Sequence, residues 1–186
     1  MSVVRRLLGL GLVLGFVLAS CCFAGDIVGT VSVPKLDQVV VFVEGIKGVF
    51  PAKDTVIDQQ GKLFVPYVLP VVKGTKVTFH NDDNLAHNVF GIGPDEFNLG
   101  TFSKGASREH TFNKNGDVTL LCNVHPEMEG HVLVLDNPFF ARPDASGKFD
   151  IASVPAGDYV VKAWYAGKVK KQNVKVPASG SVSVTF

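Results

Sequence analysis

Apolar and polar residues alternate over short distances along this chain, and no stretch sustains the repeat of an amphipathic helix. Residues 27–33 alternate loosely and stop at Pro34. Residues 39–43 form an unbroken β-branched run between Asp37-Gln38 and Glu44-Gly45, which predicts a strand buried on both faces. Residues 48–53, around Pro51, read as a linker. Short strands are then expected at 55–57, 62–65, 69–72, 76–80, 87–90, 108–112, 118–122 and 131–135. Turn residues separate them: Gln60-Gly61, Lys73-Gly74, Asn81-Asp82-Asp83-Asn84, 91–94, Lys104-Gly105 and Asn115-Gly116. Asn115-Gly116 reads as a hairpin turn, and residues 95–100 as room for one short turn. About eight strands with no convincing helix predict an all-β, Greek-key β-sandwich.

Beyond Asp136-Asn137-Pro138 the pattern changes. Residues 144–151 read as a turn running into a strand, residues 154–164 as a second turn and strand, and 174–176 and 181–186 as two more strands. Four strands in roughly 49 residues make a marginal core, whereas about 70 residues with six strands make a viable small domain. The expectation is therefore that 25–46 and 138–186 together build a second small β-sandwich, into which 47–137 is inserted. A single continuous sheet system is the alternative.

Composition adds a leader. Arg5 and Arg6 precede the apolar run 7–19, and Cys22-Phe23-Ala24 ends in a small residue, so 1–24 reads as a signal peptide cut after Ala24. The run is too short for a membrane helix. Leu18-Ala19-Ser20-Cys21 also resembles a bacterial lipobox, in which Cys21 would be lipidated and tie the protein to a membrane. Either cut predicts a periplasmic or otherwise extracytoplasmic protein. Without the leader, 16 basic residues face 17 acidic ones, which excludes the basic field a nucleic-acid partner requires. Lys168, Lys170 and Lys171 form the densest basic cluster. They read as a solvated turn, with docking of an acidic partner as the other reading. Together with Phe139-Phe140 they are the candidate contacts for a partner enzyme.

The candidate chemistry lies in Leu121-Cys122-Asn123-Val124-His125-Pro126-Glu127-Met128. After the leader, Cys122 is the only cysteine and Met128 the only methionine. A single free thiol in an exported protein invites oxidation or mispairing, and a bound metal protects it. A thiolate, an imidazole and a thioether within seven residues select copper over hard cations. His87, in Ala86-His87-Asn88-Val89-Phe90, completes two His, one Cys and a weak Met, the donor set of a blue-copper electron-transfer site. An inert core cluster is the competing reading of the same residues.

This constellation resembles the cupredoxins, close in pattern to plastocyanin. In that family the first ligand histidine sits in an H-N-V context, and the last strand follows the methionine as M-x-G-x-V-x-V, here Met128-Glu129-Gly130-His131-Val132-Leu133-Val134. The resemblance implies one type 1 copper ion with His87, Cys122 and His125 as equatorial ligands and Met128 as axial ligand. It implies that Asn88 ties the first-histidine strand to the copper loop, and that the outer edge of His125 passes the electron. The chain departs from plastocyanin in loop length. Four residues usually separate the loop histidine from the methionine, and here only Pro126 and Glu127 do. Glu127, Glu129 or His131 therefore stay open as substitute ligands, although His131 falls where the family carries a surface side chain. His80 and His110 read as surface or otherwise satisfied groups. The implied role is single-electron transfer between unidentified redox partner proteins, not catalysis, because five histidines cannot build an additional trinuclear cluster. A periplasmic copper carrier or store is the alternative, although such proteins carry Met- and His-rich tracts that this chain lacks. The ends resemble a carboxypeptidase-regulatory-like, transthyretin-type sandwich through Gly147-Lys148-Phe149-Asp150-Ile151, Val154-Pro155-Ala156-Gly157-Asp158-Tyr159, Val28-Gly29-Thr30-Val31 and the 39–43 run.

Overall fold

A computed structural model describes residues 23–186; the expected leader 1–24, with the Arg5-Arg6 pair and Cys21, lies outside them apart from Phe23 and Ala24. Sixteen strands and one 3-10 turn, Leu36–Gln38, make up the regular structure of the described residues. The all-β expectation holds.

Two groups of sheets share the chain. Strands β1 (Ala24–Thr30), β13 (Lys148–Pro155) and β16 (Ser181–Thr185) form one sheet with β1 in the centre. Strands β2 (Val39–Glu44), β12 (Phe140–Ala141), β14 (Gly157–Tyr165) and β15 (Lys168–Val176) form a second, in the order β12-β2-β14-β15. Val39, Val41 and Val43 of β2 point into the core between these sheets, with Ile27, Phe149, Ile151, Val161 and Val184.

The intervening chain forms its own pair. Strands β5 (Val68–Val72), β7 (His87–Ile92), β8 (Phe97–Phe102), β10 (Gly116–Leu121) and β11 (Glu129–Leu135) make a five-stranded sheet in the order β5-β11-β10-β7-β8. Facing it are β3 (Thr55–Gln60), β4 (Leu63–Val65), β6 (Lys76–Asn81) and β9 (Ser107–Thr111), in the order β4-β3-β6-β9. Alternation sends Gly130, Val132 and Val134 of β11 inward, where the two valines meet Ile57, Phe64, Phe79, Val118 and Leu120.

The other face of β11 does not meet water. Leu133 and Val68 pack against Val40 of β2 and Trp164 of β14, and Tyr67, Phe42, Leu135 and Phe140 close the rim. Val40 and Trp164 are register partners in the adjoining sheet. The continuous valine run of β2 thus serves two cores, odd positions for one and Val40 for the other, which is why it does not alternate.

Three sequence expectations need correction. Residues 97–102 are a strand, not a turn; its exposed, polar positions and Gly100, at φ 72°, hide the alternation. Asn115-Gly116 does not close a hairpin, because β9 pairs with β6 and β10 with β7 and β11; the turn carries the chain from one sheet to the other. Lys168, Lys170 and Lys171 lie on an edge strand, not a turn, and lysines there discourage pairing with another chain.

Candidate metal centre

Strands β7 and β10 are antiparallel neighbours, with Leu121 opposite Phe90, so the start of one and the end of the other meet at the same end of the sheet. His87 is the first residue of β7, and Cys122 follows the last residue of β10. The chain turns after Cys122 and returns as β11, and the Met128 N–H donates to the His125 carbonyl at 3.0 Å to close that turn. Two neighbouring strand ends and one tight loop therefore bring together residues 35 positions apart.

The donor atoms converge. His87 Nδ1 lies 2.9 Å from His125 Nδ1, and Cys122 Sγ lies 4.0 Å from each of them. In a triangle with sides of 2.9, 4.0 and 4.0 Å, the point equidistant from the corners is about 2.1 Å from each. That is within the span of about 2.0–2.3 Å covered by imidazole and thiolate bonds to a first-row metal. Without an ion, two ring nitrogens and a thiol would crowd one buried point with few protons to share among them. The donor set and its spacing fit a metal ion. His87 and Cys122 are fully buried, while His125 keeps an edge toward solvent.

The surroundings hold these ligands. The Asn88 N–H donates to Cys122 Sγ at 3.4 Å, and Asn88 Oδ1 accepts from the Asn123 N–H at 3.4 Å. Asn88 Nδ2 in turn donates to Asn98 Oδ1 of β8 at 3.0 Å. Asn88 therefore joins β7, β8 and the loop after Cys122. Asp83, which sequence reasoning passed over as a turn residue, places Oδ2 2.7 Å from His87 Nε2. Burial works against its charge, but the Lys62 and Gly61 N–H groups and His87 outweigh that and hold the carboxyl below its ordinary range.

Met128 is fully buried in the same cluster as Cys122. The substitute ligands are engaged elsewhere. Glu127 is exposed and pairs with Lys62 at 3.4 Å. Glu129 accepts from the Tyr67 hydroxyl at 2.9 Å. His131 is buried, contrary to the surface position expected, because the second pair of sheets covers it. Its Nδ1 lies 2.9 Å from Asp117 Oδ1, and its ring centroid is 4.7 Å from that of Trp164. Burial opposes its positive charge, but Asp117 and Glu129 prevail and raise its pKa above the ordinary imidazole value. His80 bonds Ser107 and pairs with Asp82. His110 stacks on Phe97 with centroids 4.0 Å apart, and burial lowers its pKa.

No protein-family model matches this chain, and no curated protein does. Solved structures do, over part of the chain. A copper-containing nitrite reductase from Thermus scotoductus SA-01 is 30% identical over 50% of this chain and 24% of its own, with a TM-score of 0.43. A purple cupredoxin from Nitrosopumilus maritimus is 29% identical over 44% of this chain and 100% of its own, with a TM-score of 0.41. A reduced amicyanin variant is 27% identical over 44% of this chain and 82% of its own, with a TM-score of 0.41. The chain thus spans about a quarter of the length of the nitrite reductase.

Proposed function

We propose that this protein is an exported type 1 copper protein that passes single electrons between redox partners. The observation that carries the reading is the triangle of His87 Nδ1, His125 Nδ1 and Cys122 Sγ around a point at metal-bonding distance. His87, Cys122 and His125 would hold the ion, with the Met128 thioether as a weaker fourth donor. A copper ion so held supplies a reversible one-electron couple. The protein's part is to keep the donors in one arrangement for both oxidation states: β7 and β10 fix His87 and Cys122, Asn88 ties the loop down, and the core excludes water. His125, half-buried beside the exposed Val124, offers the edge nearest a partner. Burial of His87 and Cys122 favours a resident ion over a cargo, since a carrier must expose its ligands to hand the metal on.

We also read residues 47–137 as the copper-binding unit, inserted into a transthyretin-type sandwich made from 25–46 and 138–186. The pairing of β1 and β2 with strands after residue 139 supports this division.

The test is an absorption and EPR spectrum of purified, copper-loaded protein. An intense thiolate-to-copper charge-transfer band, absent from Cys122→Ser, is the expected result. A colourless oxidised protein, or colour retained in Cys122→Ser, would reject the assignment.

A further inference from the structure

We infer that Asp83 is a positioning residue for the metal centre: its carboxylate fixes the tautomer and orientation of His87 and couples that ligand to the β3–β4 hairpin. The role as a metal partner rests on the copper reading above; the tautomer does not.

The geometry is specific. The His87 ring is fully buried and its two nitrogens face different groups. Nε2 meets Asp83 Oδ2 at 2.7 Å, and an ionised carboxylate can only accept. Nε2 therefore carries the proton, and in the neutral ring Nδ1 keeps its lone pair, pointed at Cys122 and His125. A histidine ligand whose far nitrogen donates to a carboxylate is held in one ring orientation, and its coordinating nitrogen becomes more basic.

Asp83 is itself held from three directions. Oδ1 accepts from the Gly61 N–H at 2.6 Å and Oδ2 from the Lys62 N–H at 2.8 Å. Gly61 and Lys62, at φ 63° and 58°, are the two residues that join β3 to β4, with Gln60 paired to Leu63. Both in the left-handed region, they give the turn type whose twist matches a two-residue hairpin. Lysine is disfavoured there, and the carboxylate offsets that cost. Asn81, also fully buried, accepts from the Asp83 N–H at 2.9 Å and donates to the Leu85 and Phe102 carbonyls. Asp83 thus ties β6 through its backbone N–H, and the hairpin turn and a ligand through its carboxylate. The hairpin reaches the other side of the centre too, through the Lys62–Glu127 pair.

A purely structural Asp83 would cap the turn and leave His87 indifferent. The two roles separate by measurement. In metal-free wild-type protein, 15N NMR of the histidine rings should show His87 as the Nε2–H tautomer, a readout that needs neither copper nor a variant. An Nδ1–H tautomer would overturn the inference even if copper binds. In Asp83→Ala, Cu(II) affinity should fall about 10- to 100-fold. The reduction potential should rise, because the lost negative charge favours the less positive ion. Asp83→Asn can still accept from Nε2–H; it should keep the tautomer and still raise the potential. A variant that melts earlier but keeps wild-type affinity and potential would reduce Asp83 to a turn cap. If wild-type protein binds no copper while the Nε2–H tautomer stands, the copper reading fails and the positioning of His87 survives.

Discussion

Replacing Asp117 by alanine tests how firmly the two pairs of sheets are joined. Its carboxylate accepts from Trp164 Nε1 at 3.1 Å and faces His131 Nδ1 at 2.9 Å. Trp164 is 2% and His131 6% exposed, so neither gains water readily when the acceptor goes. A buried donor left unsatisfied costs about 1–3 kcal/mol. The Asp117 side chain is 31% exposed, which puts each loss near the low end, for about 2–3 kcal/mol in all. With a urea slope of about 1–3 kcal/mol/M, the unfolding midpoint should drop by about 0.7–3 M. The assay is equilibrium urea unfolding of metal-free wild-type and Asp117→Ala protein near pH 6, followed by tryptophan fluorescence, since Trp164 is the only tryptophan. A midpoint shift below about 0.3 M at unchanged slope would refute the reasoning. The same pair predicts a pH dependence. Because the folded pKa of His131 lies above its unfolded value, the folded state binds the extra proton. That stabilisation is complete below about pH 6.5 and is lost as pH rises through the folded value. The charged and titratable groups facing the ring are Asp117, Glu129 and Tyr67, whose hydroxyl is pushed up to about 12 by burial and by Glu129. Asp117→Ala should flatten this decline, and a decline equal to that of wild type would assign it to another group.

Two further substitutions follow from packing and ligation. Met128→Leu should leave copper bound and raise the reduction potential, because a weak donor to Cu(II) is removed; voltammetry showing an unchanged potential would remove Met128 from the axial position. Gly29→Ala should cost more than about 3 kcal/mol, since its Cβ would stand 2.0 Å from the Val184 carbonyl oxygen, which a parallel strand partner cannot withdraw. Thermal unfolding that matches wild type would show that β1 and β16 tolerate separation.

Cys122, His125 and Met128 stood out as candidates because three rare donor types crowd one loop, and His87 because His87-Asn88-Val89 resembles the cupredoxin context of the first ligand. The β2 run was legible as doubly buried from its missing alternation alone. What escaped detection depends on neighbours distant in the chain. Asp83 sits among Asn81, Asp82 and Asn84, a composition that signals only a turn, and its bond to His87 requires the Gly61-Lys62 hairpin to turn the carboxylate inward. His131 occupies an outward-facing register position that is exposed in a lone sandwich, and only the approach of Trp164 from β14 buries it. Of strand β15 only 174–176 was read; 168–173 escaped because one exposed side chain after another on an edge strand leaves no hydrophobic rhythm to read.

The placement of β1 carries a kinetic consequence. It is the central strand of its sheet, yet both partners lie far downstream: Thr30 pairs with Lys148 and Asp26 with Ser181. Closing such long loops makes pairing slow. Until those late segments arrive, the residues from Ala24 to Thr30 have no ladder to join, and the sheet they centre is among the last parts of the molecule to assemble.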